Sequence, residues 1–293
     1  MAEVLAVKQD SPSFWRNTGA VMAGGAASAG VIIPQQIGAL ACLNKMIKTG
    51  QSLTADEVKI IQNAGDTILK TSGLLEKGVQ KLTGLPNDLK ITLDAMIEGT
   101  PKFFRKLWNL HPFVQIDKGC NACFIPPQFN MPAEIANKII IPEGKDLVLS
   151  QFHEIGHAMN HNFGRASKLL QKMRMPVLAA LPVIALVALF KHKKAEGEKP
   201  QGFFDKVTTF IKNHAGKLTF TAMIPIVAEE ALASFRGEKL AKELLSPELL
   251  KKVKLNNRLA LLTYAGFAVA SAIGIALGVK VKDAIAQPKK TIK

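Results

Sequence analysis

Apolar residues along this chain are gathered into blocks, and the spacing inside each block predicts what it forms. Residues 19–43 make a Gly/Ala-rich apolar segment interrupted by Pro34, Gln35 and Gln36. Its length suits a bilayer crossing, and its small residues suit a buried helical hairpin equally well. Over 52–82, Val58, Ile61, Ile68, Leu75, Val79 and Leu82 recur on one helical face behind a Thr54/Glu57 capping box, which predicts a helix. Gly65, Gly73 and Gly78 weaken that helix by up to about 1 kcal/mol each, so it needs a partner surface. A second helical stretch is expected over 88–110, broken near Pro101. Pro126, Pro127 and Pro132 then predict turns, and the β-branched run Ile139-Ile140-Ile141, stopped by Pro142, predicts a short strand. After a turn at Glu143-Gly144-Lys145, a helix is expected from about 146 to 162, closed by Gly164. Three further apolar runs follow. Residues 175–190 are uninterrupted and fenced by Arg174, Lys191, Lys193 and Lys194, a short crossing unless the lysines snorkel. Residues 218–228 are too few for a span alone and run into Glu229 and Glu230. Residues 259–279 carry no charge and are the best candidate span. They contain Gly274-x-x-x-Gly278, a pattern that packs helices closely and that a Gly/Ala-rich composition also generates by itself. The pattern as a whole predicts a mainly α protein with a small β element (α+β) and transmembrane helices.

Composition sharpens the membrane reading. With 48% apolar but only 6% aromatic residues and a mean hydropathy of +0.15, the chain is rich for a soluble enzyme, and the lipid bilayer is the expected partner. The net charge of +15 raises the question of nucleic acid. Its lysines, however, flank the apolar blocks instead of studding an aromatic-rich sheet or recognition helix, so no nucleic-acid partner is expected. Arg165, Lys168, Lys172 and Arg174 precede the 175–190 run and Lys191, Lys193, Lys194 and Lys199 follow it, so the positive-inside rule sets no orientation. Three cysteines, Cys42, Cys120 and Cys123, are too few for a disulfide scaffold, and Cys120-x-x-Cys123 without a second pair is expected to be structural, not redox or metal-binding. Residues 1–17 are polar and carry Glu3 and Asp10, unlike a cleavable signal peptide, so the insertion signal is expected to stay in the mature chain.

The chemistry lies in His153-Glu154-Ile155-Gly156-His157. Histidines four apart project from one helical face about a turn apart, so both imidazoles can converge on one tetrahedral Zn²⁺. Glu154 lies to the side of that row, where a carboxylate can act as general base on a water acidified by zinc to a pKa of about 7. A strand just before such a helix would offer an edge on which a peptide substrate pairs by its main chain. His161 extends the row, but a third histidine two turns on lies too far along the axis to reach the same ion, and an outer hydrogen-bonding role or plain exposure is expected for it. The third ligand should come from a later helix, with Glu229 and Glu230 as candidates, since acids bordering an apolar run invite a compensating cation.

These residues resemble a family. Cys120-Asn121-Ala122-Cys123-Phe124-Ile125-Pro126, Lys138-Ile139-Ile140-Ile141 and His153-Glu154-Ile155-Gly156-His157-Ala158 are similar in order and spacing to the Asn-Ala-x-x-x-Pro, strand and HExxH succession of the HtpX-like membrane zinc peptidases. Glu230-Ala231-Leu232-Ala233-Ser234-Phe235-Arg236 looks like their Glu-x-x-Ala-Asp element, and more like the Glu-x-x-Ala-Ser-x-Arg form of the YugP-like putative membrane zinc peptidases. The resemblance spans about 120–236 and does not extend to 1–118. It implies a zincin-like gluzincin core over 119–236 that includes the membrane segments 175–190 and 218–228, while the hydropathy pattern sets off an N-terminal segment 1–50 with the possible span 19–43, a helical region 51–118 and a C-terminal segment 237–293 with the 259–279 span and a basic tail. It implies Glu230 as third ligand, with Glu229 the alternative, one Zn²⁺ per chain, hydrolysis of peptides or membrane proteins, and a cytoplasm-facing site in a bacterial-type inner membrane. Ser234 stands where the HtpX-like pattern has aspartate, which removes a carboxylate acceptor for a ligand histidine. Arg236 would either stabilise the oxyanion or pair with a neighbouring acid. The competing expectation is a catalytically inactive relative that serves as a membrane scaffold.

Overall fold

A computed structural model describes residues 14–127, 135–194 and 198–286. The predicted turn at Pro132 and the basic tail after 286 lie outside them. The described residues are mostly helical and include one small sheet. In order come α1 (Phe14–Gln51), α2 (Ala55–Thr71), β1 (Gln80–Thr83), α3 (Asn87–Gly99), α4 (Lys102–Arg105), α5 (Pro112–Asp117), β2 (Cys123–Ile125), β3 (Lys138–Ile141), α6 (Gln151–Phe163), α7 (Arg165–Lys172), α8 (Arg174–Phe190), α9 (Gly202–Lys242) and α10 (Pro247–Ala286).

Two compact units share the long helices. One unit comprises Gly38–Arg174 and Pro225–Ala265. Its sheet has the order β1-β3-β2, with β1 parallel and β2 antiparallel to β3. The continuous run Ile139-Ile140-Ile141 belongs to a strand buried on both faces. Ile139 and Ile141 pack with Phe124, Ile61, Phe152 and Ile155 on one side, while Ile140 packs with Ile125, Val114 and Ile116 on the other. Each such burial contributes about 1.5–3 kcal/mol. β3 is therefore the central strand, which corrects the expectation that the strand before the HExxH helix presents the edge. Among the described residues that place falls to β2 and β1.

The helix expected over 52–82 ends at Thr71. Its start is as predicted, with Thr54 and Glu57 exchanging both capping-box hydrogen bonds. Beyond it, Gly73 (φ 76°) and Gly78 (φ 76°) adopt the left-handed conformation that turns the chain, and residues 80–83 extend to pair with β3. Gly65 has a packing role as well, because a Cβ there would meet the side chain of buried Gln151. Gln151 Nε2 donates to the Ile61 carbonyl at 2.6 Å and so ties the first residue of α6 to α2. The segment 148–150, expected to be α-helical, is a 3-10 turn that leads into α6.

The other unit comprises Met1–Ile37, Met175–Ile224 and Gly266–Lys293. Here α1 and α10 approach through small residues. Ser28 Oγ donates to the Gly274 carbonyl at 2.9 Å, and a Cβ on Gly278 would meet the Gly24 carbonyl and Ser28 Oγ. Gly274-x-x-x-Gly278 thus forms a helix contact and is more than a by-product of composition. Buried Lys212 of α9 and Lys282 of α10 share Asp283, at 2.8 and 2.7 Å.

Among the described residues, four stretches are long and apolar enough to cross a membrane: Trp15–Gln51, Arg165–Phe190, Gly202–Lys242 and Pro247–Ala286. In the first two, only 6% and 11% of the most apolar window is buried within the protein, and Met22, Ile33, Ile37, Val183 and Leu186 point outward. So large an apolar exterior suits lipid as the surrounding solvent. α1 passes through Pro34 without a break, which overturns the hairpin alternative for 19–43. The run 218–228 is not a separate short element. It lies inside the 41 residues of α9, whose helix accommodates Pro225 and whose polar Lys212 is buried against Asp283.

Candidate metal centre

α6 and α9 cross with their backbones nearly touching, and small residues make that possible. A Cβ on Gly156 would run into the Ala233 carbonyl, and one on Gly237 into the Phe152 carbonyl. This approach brings the face of α6 that carries His153, Glu154 and His157 onto the face of α9 that carries Glu229, Glu230 and Ser234. All six are buried.

Three atoms converge. His153 Nε2 and His157 Nε2 lie 3.0 Å apart, and Glu230 Oε2 stands 3.0 Å from the first and 3.4 Å from the second. A tetrahedral ion with bonds of about 2.0–2.1 Å separates its ligands by roughly 3.3 Å, so this triangle has the size of one face of such a site. Glu154 belongs to the same cluster, its carboxylate oxygen lying within 4.8 Å of the imidazole nitrogens. It accepts a hydrogen bond from the main-chain N–H of Phe124 on β2, at 2.7 Å. The buried His/Glu group can hold a metal ion.

The far sides of both imidazoles are fastened. Glu229 Oε1 lies 2.8 Å from His157 Nδ1 and, as a carboxylate, can only accept, so the proton sits on Nδ1 and the Nε2 lone pair faces the centre. Asn160 Nδ2, from the next turn of α6, donates to the same Glu229 oxygen at 2.9 Å. Ser234 Oγ lies 3.1 Å from His153 Nδ1. Burial, with His157 beside it, pushes His153 down to about 4. At neutral pH it is an uncharged ring.

The remaining expected residues stand apart from this centre. His161 is held by Gln171 Oε1 at 3.0 Å and rests near the Phe124 ring. Burial, together with nearby Lys168 and Lys172, lowers its pKa. Arg236 Nη1 donates to Ser167 Oγ at 3.4 Å and lies against Gly164. Burial, then the charge of Glu154, pushes the Cys123 thiol up, which suits an inert structural role.

Three participants are not evident from sequence reasoning. Asn160 follows His157 by three residues on the same helical face, a signal that was available. The Phe124 contribution is main chain and has no side-chain signature. Arg174, read only as the basic flank of an apolar run, forms an ion pair with Glu230 Oε1, and its guanidinium stands 5.5 Å from the centre of the Tyr264 ring.

No family model matches the chain, and no curated protein or solved structure matches it.

Proposed function

We propose that this chain is an integral-membrane zinc-dependent endopeptidase with His153, His157 and Glu230 as ligands and Glu154 as general base. The observation that carries the reading is the triangle of His153 Nε2, His157 Nε2 and Glu230 Oε2, with sides of 3.0, 3.0 and 3.4 Å in a buried setting. Two imidazoles and one carboxylate are a donor set that suits Zn²⁺ and leaves a fourth position for water or substrate. Zinc bound there would supply a Lewis acid that acidifies water to a pKa near 7 and polarises a peptide carbonyl.

The protein's own groups divide the remaining work. Glu229 and Ser234 hold the two imidazoles with their Nε2 atoms inward, which sets ligand direction before any ion arrives. Glu154 takes the proton of the attacking water and returns it to the departing amine. Its carboxylate is kept in place by the Phe124 amide. β2, at the edge of the sheet among the described residues, is the strand to which an extended peptide would add, beside Glu154. The four apolar helices suit substrates that are membrane proteins or peptides near the bilayer. The resemblance to HtpX-like peptidases supports a cytoplasm-facing site.

The test is metal analysis and peptide cleavage on the full chain in detergent. Wild type should contain about one zinc. Glu154→Gln should keep it and lose cleavage, and Glu230→Ala should lose the metal. A chain that folds without zinc and cleaves nothing is the scaffold, and retention of zinc by Glu230→Ala but not by Glu229→Ala would exchange the roles of the two acids.

A further inference from the structure

Arg174 opens α8 and is the last basic residue before the apolar run. In that position a guanidinium ordinarily reaches outward to water or lipid headgroups. Here it turns inward. Its partner is Glu230 Oε1, on a carboxylate with no exposed surface. Lys172, two residues earlier, is exposed by contrast.

The two oxygens of Glu230 therefore have separate duties. Oε2 faces both imidazoles, at 3.0 and 3.4 Å, and Oε1 is taken by Arg174. The guanidinium is in turn placed by Tyr264 of α10, the chain's single tyrosine, whose ring it overlies at 5.5 Å. Such a stacked cation is stabilised where it is partly desolvated, and a lysine cannot reproduce both the planar stacking and the fork of donors.

We propose that Arg174 is a positioning residue for the ligand Glu230: by holding Oε1 it restricts the carboxylate to one-oxygen ligation through Oε2 and keeps the remaining coordination position open. The inference rests on the zinc-site reading above. A carboxylate free to rotate can offer both oxygens to an ion, which occupies the position that water or a peptide carbonyl needs. With Oε1 engaged in the ion pair with the Arg174 guanidinium, Oε2 is the oxygen left to face the metal. Arg174 acts through Glu230, as does Tyr264 through Arg174.

The experiment uses the detergent-solubilised full chain, stripped of metal and reloaded with Zn²⁺ or Co²⁺. Zinc affinity is measured by chelator competition, and coordination number by the visible spectrum of Co²⁺, which is intense for four-coordinate sites and weak for five or six. Arg174→Gln should weaken zinc by about 10- to 100-fold and shift the cobalt spectrum toward higher coordination. Arg174→Lys should recover part of the affinity, and Tyr264→Leu should move both readouts in the direction of Arg174→Gln by a smaller amount. Affinity within twofold of wild type and an unchanged cobalt spectrum for Arg174→Gln would overturn the proposal. Should Arg174→Gln fail to fold, the same reading of Arg174→Lys and Tyr264→Leu decides it. Wild type that takes up neither ion removes the metal site itself, an outcome distinct from a wild-type site that ignores Arg174.

Discussion

His153 and His157 each use their two ring nitrogens for different tasks, the Nε2 atoms facing each other and the Nδ1 atoms fastened to Ser234 and Glu229. Ser234→Ala and Glu229→Ala should both fold and bind zinc about 10- to 100-fold more weakly, as read by chelator competition. Asn160→Ala, which frees Glu229 on one side, should have a smaller effect in the same direction. Protonation provides a second check. In the folded chain His153 takes up a proton only near pH 4, whereas an unfolded histidine does so near 6.5. Between those values the unfolded state holds more protons, so the metal-free protein loses stability as pH falls from 6.5 and the loss levels off below about 4. For this one residue the total is on the order of 3 kcal/mol. Thermal melts of chelator-treated protein should decline across that window, and His153→Gln should flatten part of the decline. At this scale the HExxH residues are legible in the sequence, because their spacing is a property of one helix. Which of two adjacent acids faces which nitrogen depends on the roll of α9 against α6, and no local pattern encodes that. Arg174 was hidden for a related reason, since a basic residue before an apolar run reads as a membrane flank wherever it points.

Helix-to-helix approach decides whether the centre exists. Gly156 and Gly237 sit where any side chain would meet backbone of the opposing helix. Backbone cannot step aside as a flexible side chain can, so Gly156→Ala should cost about 1–3 kcal/mol through overpacking and release zinc. The control is Gly99→Ala on α3, where a Cβ meets nothing, and its melting temperature should be unchanged or slightly raised. The strong capping box of α2 and the apolar run of β3 are readable locally. The end of α2 and the existence of β1 are not, because Leu75, Val79 and Leu82 fit a helical stripe. What prevents the helix is a pair of left-handed glycines and a parallel partner 58 positions away, at Lys138 opposite Gln80. Non-local pairing of this kind leaves little trace in a short window.

Across the whole molecule, the four long apolar stretches and their outward side chains predict behaviour during fractionation. The protein should stay with membranes through high-salt and alkaline washes and leave them only with detergent, since burial of apolar area does not weaken with ionic strength as a basic patch's attraction does. Appearance in the alkaline supernatant would contradict the integral placement. Orientation is a separate question. If the site faces the cytoplasm as proposed, an impermeant thiol reagent in a Cys42→Ser background should fail to label partly exposed Cys120 and Cys123 in intact expressing cells and should label Cys120 after the cells are opened; labelling in intact cells would place the site outside. The charge-free run 259–279 is evident from hydropathy alone, while α9 is not. Lys212 interrupts its apolar stretch, and only the shared pairing on Asp283, 71 positions downstream, explains how that charge is accommodated.

The donor that steadies Glu154 belongs to the peptide backbone at position 124, and any amino acid with an amide hydrogen supplies it equally. Variation there can alter the phenyl packing while leaving the Glu154 carboxylate aligned. Proline alone lacks the hydrogen. A variant scan of position 124 should therefore split into two classes: graded losses that follow side-chain volume, and one abrupt loss at the imino acid that no compensating change in bulk restores.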